Sequence, residues 1–292
     1  MMNADLKEIQ KRLTVMLAVF DEYCKKHNLK YFAWGGTMLG AIRHHGFIPW
    51  DDDIDVMMPR PDYNRLMDLT TTGFVDGYRI IGPHNQHNMQ LAYMKMEDMN
   101  STIVDNILAI DHPSGIFIDI MPIDGVPSDA NQAEAVFMQY KKYLKGAVSS
   151  SVPYTFRNVI SNDKNIKHIS LLSYVKSLIY RRFYSSQYFY NKCDKLAASY
   201  DYDLSEYVRI YSSPHFSKHK MSRAWFDDTI DVVFENIHIK CPAAYDKILT
   251  LLYKNYMELP PVEKRTTDHH FYFLDLERRY TTDEIKILKG IK

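Results

Sequence analysis

Asp53 and Asp55 are separated by one apolar residue in the run Asp51-Asp52-Asp53-Ile54-Asp55-Val56, which Pro59 closes. In an extended chain alternate residues share a face, so Asp53 and Asp55 project to one side, with Asp51 able to join them, while Asp52 turns away and Ile54 and Val56 face a core. Two like charges on a half-buried strand repel and are costly to desolvate unless a cation accompanies them. A divalent metal with a preference for oxygen ligands suits the pair, and Mg²⁺, with Mn²⁺ as an alternative, shares such carboxylates with substrate phosphates. A solvated acidic loop is the competing reading. A third carboxylate is available in Asp119, the one acid at the centre of the apolar run Gly115-Ile-Phe-Ile-Asp-Ile-Met121, whereas Asp124 reads as an ordinary turn former in Pro-Ile-Asp-Gly.

The elements around these acids follow from spacing. Leu6, Ile9, Leu13, Met16, Leu17 and Phe20 recur at helical period, with Asn3 or Asp5 as a cap and Asn28 as a stop. Tyr31 to Trp34 reads as a short buried strand that ends at Gly35-Gly36, with a helix from Thr37 to Arg43. Strand, tight turn and helix N-terminus together offer unpaired N–H groups and a positive dipole end to an anion, and Thr37 adds a hydroxyl. Gly35, Gly36 and Thr37 are therefore the candidate phosphate cradle. A tight turn that merely needs positive φ explains the glycines equally well on their own.

The 292-residue chain is long enough for one large domain or two small ones, and its 36 basic and 36 acidic residues leave no net charge. That balance argues against a general nucleic-acid binder. Cys24, Cys193 and Cys241 are far apart and lack paired spacing, which reads as reduced intracellular thiols and not as a disulfide or zinc framework. The charged first thirty residues and the lack of a long apolar run read as a cytoplasmic protein without a transmembrane segment.

The run GGTMLGAIRHHGFIPWDDDIDVMMPRPDY closely resembles the signature of the LicD family, the phosphocholine-transferase branch of the nucleotidyltransferase superfamily that includes fukutin-related proteins. The resemblance continues through QLAYMKMEDMNST, GIFIDIMPIDG and KNYMELPPVEKRTTDHH, with a variable middle. Sixteen residues separate Gly36 from Asp53, longer than the compact superfamily spacer but shared by family members. The resemblance implies an α/β (α+β) nucleotidyltransferase-like fold, a mixed, mostly antiparallel sheet flanked by helices, with a helical insertion in the second half. It implies transfer of a phospho-alcohol from a CDP-alcohol donor such as CDP-choline to a sugar hydroxyl of a cell-surface glycan, with release of CMP. Asp53, Asp55 and Asp119 would then be the metal-binding and catalytic carboxylates, Asp119 the acceptor's base. Arg43 and Lys95, beside matched segments, are candidates to hold diphosphate oxygens, and Arg265 and His269, in the matched tail, to close over donor or acceptor. His44, His45 and His270 read as solvated or packing residues.

A quaternary ammonium group would need an aromatic box, which Trp34, Trp50, Trp225 and 22 tyrosines permit without specifying. Residues 1–145 read as the catalytic core, 146–230 as a helical, Tyr-rich insertion that selects the acceptor, and 231–292 as a strand, helix and tail that complete the catalytic domain. Ser149-Ser150-Ser151 and Pro153 read as a linker, Leu171 to Tyr190 as a helix, Phe234 to Lys240 as a strand that Pro242 ends, and Tyr245 to Met257 as a helix. The basic, aromatic 171–190 segment either packs as a solvated helix or makes peripheral contact with a membrane that carries a lipid-linked glycan. Two other activities compete: nucleotidyl transfer that attaches NMP to a small molecule or sugar and releases pyrophosphate, and a catalytically silent binding protein.

Overall fold

The computed structural model describes residues 3–82, 92–105, 112–151, 154–160, 168–213, 216–267 and 271–290. Helix α1 (Asn3–Lys26) lays Ile9, Leu13, Met16, Leu17, Phe20 and Cys24 into the core, and Asn28 leaves the helix with φ of 50°. Strand β1 (Phe32–Ala33) leads through Trp34 into α2 (Gly35–His44), followed by β2 (Asp55–Pro59) and α3 (Arg60–Leu69). Next come β3 (Tyr78–Ile81), β4 (Met94–Asp98), β5 (Thr102–Val104) and the ten-residue β6 (Phe117–Val126). Four helices follow: α4 (Ala130–Ser151), α5 (Arg157–Ile160), α6 (Leu171–Phe183) and α7 (Ser186–Ala197). The chain then runs through β7 (Tyr207–Arg209), β8 (Met221–Ser222), the hairpin β9 (Thr229–Phe234) and β10 (Ile237–Pro242), α8 (Tyr245–Tyr253), β11 (Phe273–Asp275) and α9 (Thr282–Leu288).

The expected mixed, mostly antiparallel sheet is present. Its main path is β1-β2-β6-β4-β3, with β7 added along β6 and β8 along β7. Among the described strand pairs only β2 with β6 is parallel. The apolar faces of β2, β4 and β6 pack against α1 and the hairpin in one continuous core. A second cluster joins α4 to α7 through Phe137, Tyr140, Tyr190 and Cys193. All three cysteines are buried free thiols, and burial pushes those of Cys193 and Cys241 up to about 12, so neither is a nucleophile at neutral pH.

Several elements differ from their sequence reading, each for a local reason. Helix α2 starts at Gly35, two residues earlier than Thr37, because Gly35 takes φ of +52° and turns the chain directly into the helix. Ser149, Ser150 and Ser151 are not a linker. They end α4, where the Ser150 hydroxyl donates to the Gly146 carbonyl and that of Ser151 to Ala147, so the polar side chains satisfy themselves on the helix. The 171–190 helix is two helices, because Tyr184 is extended and Ser185 caps α7 by accepting the Tyr188 N–H. Phe234 to Lys240 spans a hairpin turn, with Glu235 at φ of 52°, and α8 stops at Tyr253 because Lys254 has φ of 62°. Asp124 lies inside β6 and not in a turn.

Candidate active site

Strand register assembles the site. Asp55 on β2 pairs with Asp119 on β6 in the parallel ladder, and Asp119 pairs in turn with Lys95 on β4, so three ionisable side chains share one face of three adjacent strands. Lys95 Nζ lies 3.1 Å from Asp119 Oδ1 and sits over the Phe117 ring, while the Tyr93 hydroxyl donates to Asp119 Oδ2 at 2.9 Å. Asp119 is thus an oriented carboxylate with a cation beside it. Burial, followed by the charges of Asp119 and Asp55, holds the Tyr93 phenol well above its usual range, so Tyr93 remains a donor.

Burial alternates along the acidic run, with Asp51, Asp53 and Asp55 half-buried and Asp52, Ile54 and Val56 buried, but Asp52 does not turn away from its neighbours as an extended strand would have it. Regular strand begins only at Asp55, and the preceding acids form a loop whose Asp51 carbonyl accepts from Gln10 Nε2 on α1 at 2.8 Å. Among the described residues, the acids with one oxygen each within 4.8 Å of the others are Asp51, Asp52 and Asp53. Asp55 and Asp119 stand further along the same surface. Burial pushes the Asp55 carboxyl well above the usual carboxylate range, and the charges of Asp53, Asp119 and Asp51 add to it, with Lys95 opposing. Hard oxygen donors whose negative charges converge on one carboxyl are the donor set a divalent cation takes, so the residues fit Mg²⁺.

The Gly-Gly turn has a role beyond admitting a phosphate. A Cβ on Gly35 would lie 3.4 Å from Asp55 Oδ2, 3.7 Å from the Tyr253 hydroxyl and 3.9 Å from the Phe216 ring, and one on Gly36 would lie 2.7 Å from Asp51 Oδ2. Side chains at either position would fill the space in front of the acids. Trp34, the residue before α2, makes no side-chain hydrogen bond to the first turn of the helix. Gly35→Ala is expected to lower turnover at least tenfold and to cost about 1–2 kcal/mol of stability, since a non-glycine residue is strained at this φ. Steady-state kinetics paired with denaturant unfolding check it.

Thr37 is buried, and its Oγ1 accepts the Asp55 N–H at 2.9 Å, which pins the first residue of β2 to α2. Arg43 Nη1 donates to the carbonyls of Tyr256 at 2.7 Å and Glu258 at 3.2 Å, so in this arrangement it straps the segment after α8 onto α2. Arg265 donates to the Pro260 carbonyl and lies 5.8 Å from the Trp50 ring. His269, like His270, lies outside the described residues. Two aromatic residues that sequence reasoning missed border the acids. Tyr93 shares the parity of Lys95, two residues on, which is a legible signal in retrospect. Tyr253, whose phenol is raised by burial and then by Asp55, Asp51 and Asp53, comes from α8, some two hundred residues away in sequence, and no local pattern marks it.

Residues 28–161 match the family model described as LicD/FKTN/FKRP, nucleotidyltransferase domain, which spans Gly35, the acidic run, Lys95 and Asp119. The chain is also 28% identical over 273 residues to the lipopolysaccharide cholinephosphotransferase LicD of Haemophilus influenzae, covering 90% of this chain and 96% of that protein. The chain carries a LicD-family domain. Shorter stretches match two uncharacterized rickettsial proteins: 40% identity over 65 residues in Rickettsia typhi, covering 22% of this chain and 20% of that one, and 44% over 48 residues in Rickettsia prowazekii, covering 16% and 18%. In the LicD-family domain the ladder Asp55–Asp119–Lys95 lies wholly within the matched residues. Tyr253, Arg265 and the segment strapped by Arg43 lie beyond them.

Proposed function

We propose that the chain is a metal-dependent phospho-alcohol transferase that moves phosphocholine or a similar group from a CDP-alcohol to a sugar hydroxyl of a lipopolysaccharide-type surface glycan, and releases CMP. The observation that carries this reading is the register that sets Asp55 beside Asp119 and Lys95, in front of the Gly35-Gly36 helix start, in a chain aligned along almost all of a cholinephosphotransferase.

In this reading Asp53, Asp55 and the α2 amides surround the donor's diphosphate. Asp53, Asp55 and Asp119 would hold Mg²⁺, which when bound would supply charge neutralisation on the diphosphate oxygens. Asp119, beside Lys95 and oriented by Tyr93, takes the proton of the acceptor hydroxyl. That oxygen bonds to the phosphorus bearing the alcohol, the bond from this phosphorus to the bridging oxygen breaks, and CMP leaves with the bridging oxygen. In the same reading Lys95, 3.1 Å from Asp119 Oδ1, shares charge with the reacting phosphoryl oxygens. The half-buried rings of Trp50, Phe216 and Tyr253 beside the acids offer faces to a quaternary ammonium group. Among the described residues no helix is long and apolar enough to cross a membrane, and the reading places the chain in the cytoplasm, with peripheral contact at the inner membrane face where a lipid-linked acceptor is built.

Thermal unfolding with CDP-choline, CDP-ethanolamine, CDP-ribitol, CDP-glycerol, CTP and ATP, each with and without Mg²⁺, tests the donor class. One CDP-alcohol is expected to protect in the presence of Mg²⁺, by roughly 2.7 kcal/mol at a hundred times its dissociation constant. Protection by a triphosphate alone would point to nucleotidyl transfer. Absence of protection by any of them would count against an enzyme.

A further inference from the structure

Helix α6 is built inside out for a surface helix. Its inward face carries Tyr174, Ser177 and Tyr180, of which only Ser177 is fully buried, while Leu171, Leu172, Val175, Leu178, Ile179 and Phe183 all point to solvent. Leu172 is 79% exposed and Phe183 70%. Those positions recur at i, i+4, i+7, i+8 and so form one continuous apolar stripe, where a helix docked on a core would show polar residues. Phe156 and Ile160 of the neighbouring α5 region are also more than half exposed, at 53% and 64%.

Charge gives the stripe a partner. From residue 135 to 193 the sequence holds ten Lys and Arg and one Asp, in a chain whose overall charge is zero. Helix α6 itself has no acidic residue, and Lys176, Arg181 and Arg182 are exposed beside its apolar positions. Where α6 meets α4, Lys141, Lys142, Lys145 and Lys176 line an open groove of about 410 Å³, with Met138 exposed at its edge. Lysines gathered in one groove repel one another, and anionic headgroup phosphates relieve that repulsion.

We infer that the α4–α6 face docks on an anionic lipid bilayer, with the α6 stripe entering the headgroup and acyl boundary and the lysine groove holding lipid phosphates. A helix with an apolar stripe bordered by cations lies in the plane of such an interface. A second copy of this chain is a poorer occupant, because a two-fold pair would set this positive face against itself. The assignment stands on exposure and charge. Its consequence, that the face brings the active site to a lipid-linked acceptor, rests on the transferase reading above.

Full-length protein is sedimented with vesicles of phosphatidylcholine alone or mixed with phosphatidylglycerol. Binding to the mixed vesicles is expected, with much weaker binding to neutral ones and loss in high salt. Leu172→Asp with Ile179→Asp abolishes binding, and Lys176→Ala, Arg181→Ala and Arg182→Ala each weaken it about fivefold. All five positions are exposed, so unfolding curves and Mg²⁺-dependent donor protection remain those of the parent chain, and the two readouts separate loss of docking from failure of the transferase reading. No binding to the mixed vesicles overturns the inference, and so does a dimer seen by sedimentation velocity that the two Asp substitutions dissolve.

Discussion

Asp55→Asn abolishes phospho-alcohol transfer, by about 10³-fold or more in kcat, and at the same time makes the metal-free protein harder to unfold at neutral pH. In the proposed reaction the loss follows from removing a carboxylate that would hold the divalent cation against the diphosphate, a charge stabilisation worth several kcal/mol. The gain follows from crowding. Asp53, Asp119 and Asp51 all act against ionisation of Asp55, on top of burial. A carboxyl whose folded pKa is raised above its unfolded value binds its proton more tightly in the folded chain. Its stability contribution is therefore fully present below the unfolded pKa and lost as pH rises through the folded one. The parent protein without metal should lose stability as pH climbs above the usual carboxylate range, and Asp55→Asn should remove that slope, gaining about 1 kcal/mol at neutral pH, or roughly 2–4 °C in Tm. Adding Mg²⁺ should stabilise the parent and leave the variant nearly unmoved. Thermal scans across pH, with and without Mg²⁺, read all three effects.

Arg60→Met destabilises the fold by about 3–5 kcal/mol without any contact with the site. Arg60 opens α3 and is buried, with Nε 2.6 Å from Asp124 Oδ1 on β6 and Nη1 2.7 Å from Asp194 Oδ1 on α7. It ties the end of the parallel pair β2 and β6 to the helical part of the chain. Removing it leaves Asp124, which is wholly buried, without its cation. Burial already raises the Asp124 carboxyl, and Arg60 is what opposes the rise. In the variant Asp124 takes up a proton more readily still, so the sign of the linkage is the same as for Asp55: the destabilisation is largest at neutral pH and shrinks on acidification into the carboxylate range. Arg60→Met combined with Asp124→Leu should recover most of the loss, because the uncompensated charge goes with its partner. Urea unfolding of the single and double variants at two pH values tests the coupling.

The chemistry was legible where it depended on period two. Asp53 and Asp55 are half-buried and Ile54 and Val56 buried, as period two predicts, although regular strand begins only at Asp55, and an acid amid the apolar residues of β6 had to find a partner. The partner itself was less accessible. Lys95 and Asp119 could each be picked out, but their pairing depends on the register of β4 against β6, which no local pattern states. Asp124 was misread for the same reason: Pro-Ile-Asp-Gly has the composition of a turn, and only the cation of Arg60, sixty-four residues earlier, lets it stay in a strand. The exposed stripe of α6 was visible as a helical pattern, but a sequence cannot say which face a helix turns outward. Tyr253 and the strap from Arg43 to Tyr256 arise from long-range closure of the chain and leave no trace in spacing.

The most direct test of the transferase account is to identify the products. The purified protein, Mg²⁺, CDP-choline and a lipopolysaccharide-type acceptor are incubated together, and the nucleotide and the modified glycan are followed by phosphorus NMR. CMP is expected in equal amount to phosphodiester on the glycan, absent without the metal and absent in Asp55→Asn. Pyrophosphate released from CTP or ATP by the same protein, with CDP-choline left intact beside it, would contradict it.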